Sequence, residues 1–470
     1  MSPSLAREVL AVHAPVNNHD MVGYFMRNVW DDKGAIAAMD QNVLWGRIHR
    51  AVYQLNREPF LSQAGHVVTT NIEKETLRLV SSKVPVSTLK RQQRAAVVVH
   101  SPTEYEASFF PLIRHFVADM VLPALYGAGF MEKYPDIAAD LFQFDSNFDL
   151  FLMGLPPWMP LPGLRESAAA RDRVKKAMED LHDAIKNIEA AGHRNDVDVS
   201  SVMKERVRLW EEAVGGSSCS KEAYIASHAF LLWVTLINAN VIVFWLLFHI
   251  YQDPSLLAAI RGEVSPFVQV QDGHTVKLDP PAIRTQTPLL QSAFLETMRL
   301  YTQSNSFKNV QADFTVSESE SDQYIRESSL DGSKDRQGYP ASHSQRVYQL
   351  QKGDMICVPF GVHQSDPRYW DHPEKFDGRR FLTQGGIAGK TGARPLVDYT
   401  RISPWGSGAS LCKGQKLSSR EVLEIAAAIL VCWDMEPAGT TEWVHPGLAR
   451  AGGTAVPKAD FRGRLRRRVP

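Results

Sequence analysis

Positions 403 to 433 hold SPWGSGASLCKGQKLSSREVLEIAAAILVCW. Gly406, Gly408 and Gly414 bracket Cys412, and an apolar helical period begins directly after the cysteine. Thiolate is favoured at a helix N-terminus, where unpaired N–H groups and the dipole stabilise negative charge. Glycines permit backbone conformations and close approaches that side chains forbid, so this loop can press against a large planar ligand. Taken alone, the stretch equally suits an inert cysteine buried in a tight turn.

Upstream, LQSAFLETMRLYTQ places Glu296 and Arg299 three residues apart on one helix face. In isolation that is an ordinary surface ion pair, worth under about 1 kcal/mol. Further on, HPEKFDGRRF supplies Phe376, Arg380 and Phe381. Between Ala229 and Phe248 lies AFLLWVTLINANVIVFWLLF, of membrane-spanning length, whose polar residues are Thr235, Asn238 and Asn240. A helix enclosed on all sides by protein is also apolar all round, so hydropathy alone leaves both readings open.

The frame is that of an ordinary folded protein. The chain has 470 residues, 44% hydrophobic and 22% charged, enough for one large domain or two average ones. Its 52 basic and 52 acidic residues cancel, which gives no global sign of a nucleic-acid partner. The basic run RGRLRRR, 462 to 468, is expected to be a solvated tail or edge. Four separated cysteines without a CxxC pair argue against a disulfide scaffold or zinc site. The first twenty residues show neither the apolar segment of a signal peptide nor an anchor. Amphipathic helices dominate the first 300 residues, and strand-like segments such as NVQADFTV and DMICVPF come later. The segment 317–346, rich in Ser, Asp, Glu and Gly, is expected to be an exposed, flexible insertion. LPPWMPLPGL, 155 to 164, is expected to pack loosely over a helix, with a greasy surface loop as the other possibility.

These motifs together resemble the cytochrome P450 superfamily. Its haem loop is an aromatic residue, two residues, Gly, three residues, Cys, one residue, Gly, matched by Trp405, Gly408, Cys412 and Gly414. Trp stands for the commoner Phe, and Ser410 for the usual basic contact to a haem propionate. The resemblance implies that Glu296, Arg299 and Arg380 form a buried charge network, with Gly378 where proline often stands. It places the apolar run across the distal face of the haem. Where most members carry an acid-alcohol pair for proton relay, this run has Asn238, six residues before the Phe244-Trp245 pair. That pattern is similar to the branch of sterol 7α-hydroxylases and prostacyclin synthase, and the whole is most like fungal members.

Further residues follow from the resemblance. Trp45 with His49 or Arg50, and Arg47 as another choice, fall where an early helix serves a haem propionate. Ser304, Asn305, Ser306 and Phe307, with Thr454 and its neighbours, fall at substrate-contact positions. Counting back from Trp45, the chain starts near the family's B helix, so the membrane anchor, first helix and first strands have no counterpart here. The implied protein is a single mainly α domain with small β-sheets (α+β), spanning 1–470. It would be a monomer holding haem b, associated with the endoplasmic reticulum membrane. It would take electrons from NADPH through a separate reductase to oxygenate a hydrophobic substrate. A reductase-independent isomerase or dehydratase, and a non-catalytic haem or lipid-binding relic, are the rivals.

Overall fold

The structure, a computed structural model, describes residues 2–33, 46–82, 86–190, 198–215, 220–328, 346–383, 396–408, 411–449 and 453–468. Its axis is the apolar run. Lys221–Leu236 and Ala239–Gln252 form two helical lengths joined at Ile237 and Asn238. Every residue from Ala239 to Tyr251 is buried. The run is long and apolar enough to cross a membrane, yet most of it is packed inside the protein. Around its second half pack the helices Phe109–Tyr126, Pro288–Tyr301 and Gln415–Cys432. Trp245 locks this centre. Its ring stacks on Tyr301 with centroids 4.1 Å apart, and its Nε1 donates to the carbonyl of Ala455 at 2.8 Å. The long helix Leu164–Ala190 packs on the first half of the run, and Ser201–Gly215 packs against that long helix.

Small sheets flank the helices, so the class is mainly α with small β-sheets. One sheet orders Val16–Asn17, Asn305–Val310 and Met355–Pro359, all antiparallel. Another orders Trp433–Pro437, Arg462–Arg467, Glu104–Ser108 and Val98–Val99. The basic run is therefore not a tail: it is an inner strand, paired on both sides. Its alternation explains the misreading. Gly463 and Leu465 face inward, while Arg462 pairs with Glu106 at 2.7 Å and Arg464 reaches Glu104 at 3.5 Å. Cross-strand carboxylates, not solvent alone, receive the charges.

The polar segment after residue 317 also departs from expectation. Phe314–Ser317 is a strand, Glu320–Ser328 is a helix, and Asp322 is buried. Asp322 accepts from the backbone N–H of Ser4 at 2.8 Å and from Tyr369 Oη at 3.1 Å. Long-range partners supply what composition alone lacks; residues 329–345 lie outside the described residues. The 155–164 loop splits. Trp158 is 80% exposed, so the greasy surface loop is the reading that holds there, whereas Leu164 is fully buried at the start of the long helix.

Candidate active site

The cysteine loop is held from several sides. The Cys412 N–H donates to the Trp405 carbonyl at 2.8 Å, closing the loop, and Leu411 N–H donates to Gly408 O at 3.2 Å. Gly408 has φ +56°, and a Cβ there would collide with the carbonyl oxygen of Leu10, so both conformation and space demand glycine. Trp405 packs on Phe294 with ring centroids 6.0 Å apart. Asn56, which sequence reasoning passed over, clamps the other end. Its Nδ2 donates to Cys412 O at 3.3 Å and its Oδ1 accepts from Lys416 N at 2.9 Å. The helix Gln415–Cys432 starts just beyond the cysteine. Burial raises the Cys412 thiol, while the N–H groups of Gly414 and Gln415 and the charge of Lys413 pull it down. The surrounding protein thus disfavours charge, although the side chain remains accessible. The accessibility is to the cavity that Cys412 lines.

Behind the loop, Glu296, Arg299 and Arg380 come together. Arg299 grips Glu296 with two parallel hydrogen bonds, Nε to Oε2 at 2.7 Å and Nη2 to Oε1 at 2.8 Å. Arg380 Nε adds a bond to Oε1 at 2.9 Å, and the N–H of Asp377 another at 3.1 Å. Remaining donors of Arg299 go to the carbonyls of Gln364 and Pro373. Glu296 and Arg299 are both buried, so this is no exposed ion pair. Removing one member of such a buried pair costs about 3–5 kcal/mol, because the other charge is left without a partner. A Cβ at Gly378 would stand 2.8 Å from Leu256 Cδ2, the end of a side chain that can shift, so space alone does not demand glycine there.

Above the loop lies a cavity of about 950 Å³. Cys412, Trp405 and Gly414 form one wall; Phe230, Thr235, Asn238 and Ile242 of the central run form another. Ser304, Asn305, Ser306, Phe307 and Thr454 also line it. A smaller hollow of about 270 Å³, beside Ser2 and His363, does not include Cys412. The two asparagines of the central run divide their tasks. Asn240, fully buried, donates through Nδ2 to Leu236 O at 2.6 Å and Ile237 O at 3.1 Å, the carbonyls at the helix join. Asn238, not Asn240, faces the cavity, and its Oδ1 accepts from Thr454 Oγ1 at 3.0 Å.

The early-helix expectation fares differently. Trp45 and the side chain of His49 lie outside the described residues. Arg50 is exposed and off the cavity wall, and Arg47 pairs with Glu212 at 2.5 Å. The cations on the wall are elsewhere. Lys308 is buried on the strand Asn305–Val310, and Lys413 follows the cysteine; both line the cavity. Burial, and then the charge of Lys413, lowers the Lys308 ammonium, so two cations converge on one place. Glu421 is a third surprise: it lines the cavity with Oε1 unpartnered, and burial pushes its carboxyl up to about 8. A haem fits this donor set, with a thiol on one wall, apolar helix opposite and paired cations for acidic substituents. Single residues on a strand or helix carry no such signal in sequence, since convergence is a property of the fold.

Comparison with known proteins agrees with this geometry. Residues 342–448 match the family model described as Cytochrome P450. The chain is 25% identical over 346 residues to the rat 25-hydroxycholesterol 7-alpha-hydroxylase, covering 70% of this chain and 72% of that one. It is 26% identical to a cytochrome P450 monooxygenase of Penicillium oxalicum, covering 66% of this chain and 54% of that one. To rat prostacyclin synthase it is 25% identical, covering 71% and 60% respectively. The chain thus spans between about half and three quarters of the length of these curated relatives. A crystal structure of a cytochrome P450 superposes with TM-score 0.61 at 14% identity, over 99% of this chain and 88% of that one. The cysteine loop, the Glu-Arg-Arg network, the family-model match over 342–448 and these relatives make the chain similar to the cytochrome P450 superfamily, whose cofactor is haem b.

Proposed function

We propose that the protein is a haem-thiolate monooxygenase that inserts one oxygen atom of dioxygen into an apolar sterol-, terpenoid- or polyketide-like substrate, in secondary or sterol metabolism. The observation that carries this is Cys412 on one wall of a cavity of about 950 Å³ whose facing wall is the apolar central run. Bound haem b supplies the dioxygen and one-electron chemistry. Cys412 would ligate the iron, and Lys308 and Lys413 would neutralise the propionates. Phe230, Leu231, Val234 and Ile242 exclude water and receive the substrate's apolar body. Asn238, oriented by Thr454, offers amide N–H groups to a water or a substrate oxygen. An amide does not titrate, so protons reach the site through water rather than through this side chain. Electrons come from NADPH through a separate reductase, and the second oxygen atom leaves as water. The protein acts as a monomer at the endoplasmic reticulum membrane, which exposed Met153 and Trp158 support.

A second reading has its own support. Among the described residues, the central run places no carboxylate on the cavity wall, and Thr235 Oγ1 is turned back to Leu231 O at 2.7 Å. That wall suits rearrangement of a peroxide without reductase. Two measurements decide. Reduced protein with carbon monoxide is expected to give a thiolate-type Soret band that Cys412→Ala abolishes; its absence from the unmodified protein would sink both readings. Substrate-dependent NADPH consumption is expected with a reductase present, and peroxide turnover without reductant would replace the first reading by the second.

A further inference from the structure

The far end of the cavity holds a buried cation that the chemistry above does not use. Arg206, on the helix Ser201–Gly215, is 3% exposed and lines the cavity with Leu125, Ser227 and Phe230. Its Nη2 donates to Ser227 Oγ at 2.7 Å and to Ser227 O at 3.0 Å, while Nε has no partner. Among the described residues it forms no ion pair with a carboxylate, and Glu421 is the only acidic residue on the cavity wall. Burial pulls the guanidinium down to about 10, which leaves it charged at neutral pH. The neighbouring groups do not offset that charge. Tyr126 is raised by burial and stays neutral, and His228, beside Ser227, is held well below its ordinary range by burial first and then by Arg206. An isolated cation in such surroundings costs several kcal/mol, so its retention points to an anion that arrives with the ligand.

We propose that Arg206, with Ser227, anchors a carboxylate carried by the substrate, so that the substrate class is an apolar monocarboxylic acid whose other end lies under Asn238. The two ends are set apart by the helix. Ser227 and Asn238 are eleven residues apart along the central run, which at 1.5 Å per residue is about 16 Å. A rigid polycyclic skeleton or an extended chain of about a dozen carbons spans that distance. Between the ends the wall is apolar: Phe230, Leu231 and Val234. A guanidinium offers N–H groups in a fixed fork matched to a carboxylate, and with Nη2 held by Ser227 and Nε enclosed by protein, Nη1 is the nitrogen left for a ligand on the cavity side. Arg206 acts here as a specificity determinant and touches no reacting atom.

This rests on the haem-thiolate reading, and its test separates the two failures. Tetradecanoic acid and a tricyclic diterpenoid acid, each with its methyl ester, are titrated into the holoprotein and followed by the haem spin-state spectrum. Tryptophan fluorescence follows the same binding in protein stripped of haem. The acid of at least one pair is expected to bind tenfold or more tightly than its ester. Arg206→Gln is expected to erase that ratio without weakening ester binding, and Arg206→Lys to keep part of it. The carbon-monoxide band and the melting temperature verify that each variant is folded. A purely structural Arg206 would weaken acid and ester alike, and that result, an unchanged ratio or no binding of either acid to unmodified protein would overturn the proposal. Loss of the carbon-monoxide band in unmodified protein with the fluorescence preference intact would instead overturn only the haem-thiolate reading.

Discussion

Glu421 shows how one side chain couples the cofactor cavity to stability. Three residues along the helix, Glu424 accepts from Thr69 at 2.6 Å, from Arg420 at 2.8 Å and from Arg284 at 3.3 Å. That leaves the cations engaged and Glu421 beside another carboxylate, so burial first and Glu424 second raise its pKa to about 8. The sign follows. In the unfolded chain an ordinary glutamate ionises near 4.5, whereas the folded state keeps the proton up to about 8. Its contribution to stability is complete below about 4.5 and is lost as the pH rises through about 8. Glu421→Gln keeps the neutral amide's shape and removes the charge. It is expected to be more stable than the unmodified protein by a few kcal/mol at high pH, and equal to it below about pH 4.5, in denaturant unfolding at the two pH values.

At the scale of elements, the join at Ile237 and Asn238 matters most. Asn240 donates to two carbonyls there and Asn238 to none of them, so the two amides separate by experiment. Asn240→Leu, close in volume, leaves both carbonyls buried without that donor and is expected to lose about 2–4 kcal/mol in denaturant unfolding. Asn238→Ala is expected to unfold near the unmodified midpoint while changing ligand affinity, since its partner Thr454 belongs to the cavity wall. The two-residue spacing sets Asn238 and Asn240 on different helix faces, with Asn238 the stronger candidate, so that part was legible in sequence; the service of Asn240 to the carbonyls of the join was not. What was legible is local: the glycines around Cys412, the three-residue spacing of Glu296 and Arg299, and the apolar continuity of the central run. Gly408 carries its meaning through a neighbour from elsewhere in the chain, and still left a trace as an invitingly small residue. Lys308, Arg206 and Asn56 left none, because a lone cation or amide on a regular element looks the same whether it faces solvent or a cavity. The helix Glu320–Ser328 and the strand Arg462–Arg467 were misjudged for a related reason: composition cannot see a partner such as Ser4 or Glu106.

Across the whole molecule, the placement of apolar surface bears on where the protein works. The central run hides its apolar side chains, while the loop before the long helix Leu164–Ala190 leaves Met153 60% and Trp158 80% exposed. A tryptophan so placed suits a membrane interface, where an amphipathic ring sits at the headgroup level. Trp158→Ser is expected to cut co-sedimentation with phosphatidylcholine vesicles at least twofold with no change in melting temperature; binding equal to that of the unmodified protein would remove the loop from the membrane contact. The meeting of Gly408 with the Leu10 carbonyl has a different consequence, one of timing. Two stretches separated by most of the chain must touch before the cysteine loop has its shape, and such distant closures come late and slowly in folding. The cysteine loop therefore holds this shape only when residues near both ends of the chain are present, and a fragment lacking the stretch around Leu10 is expected to lose it.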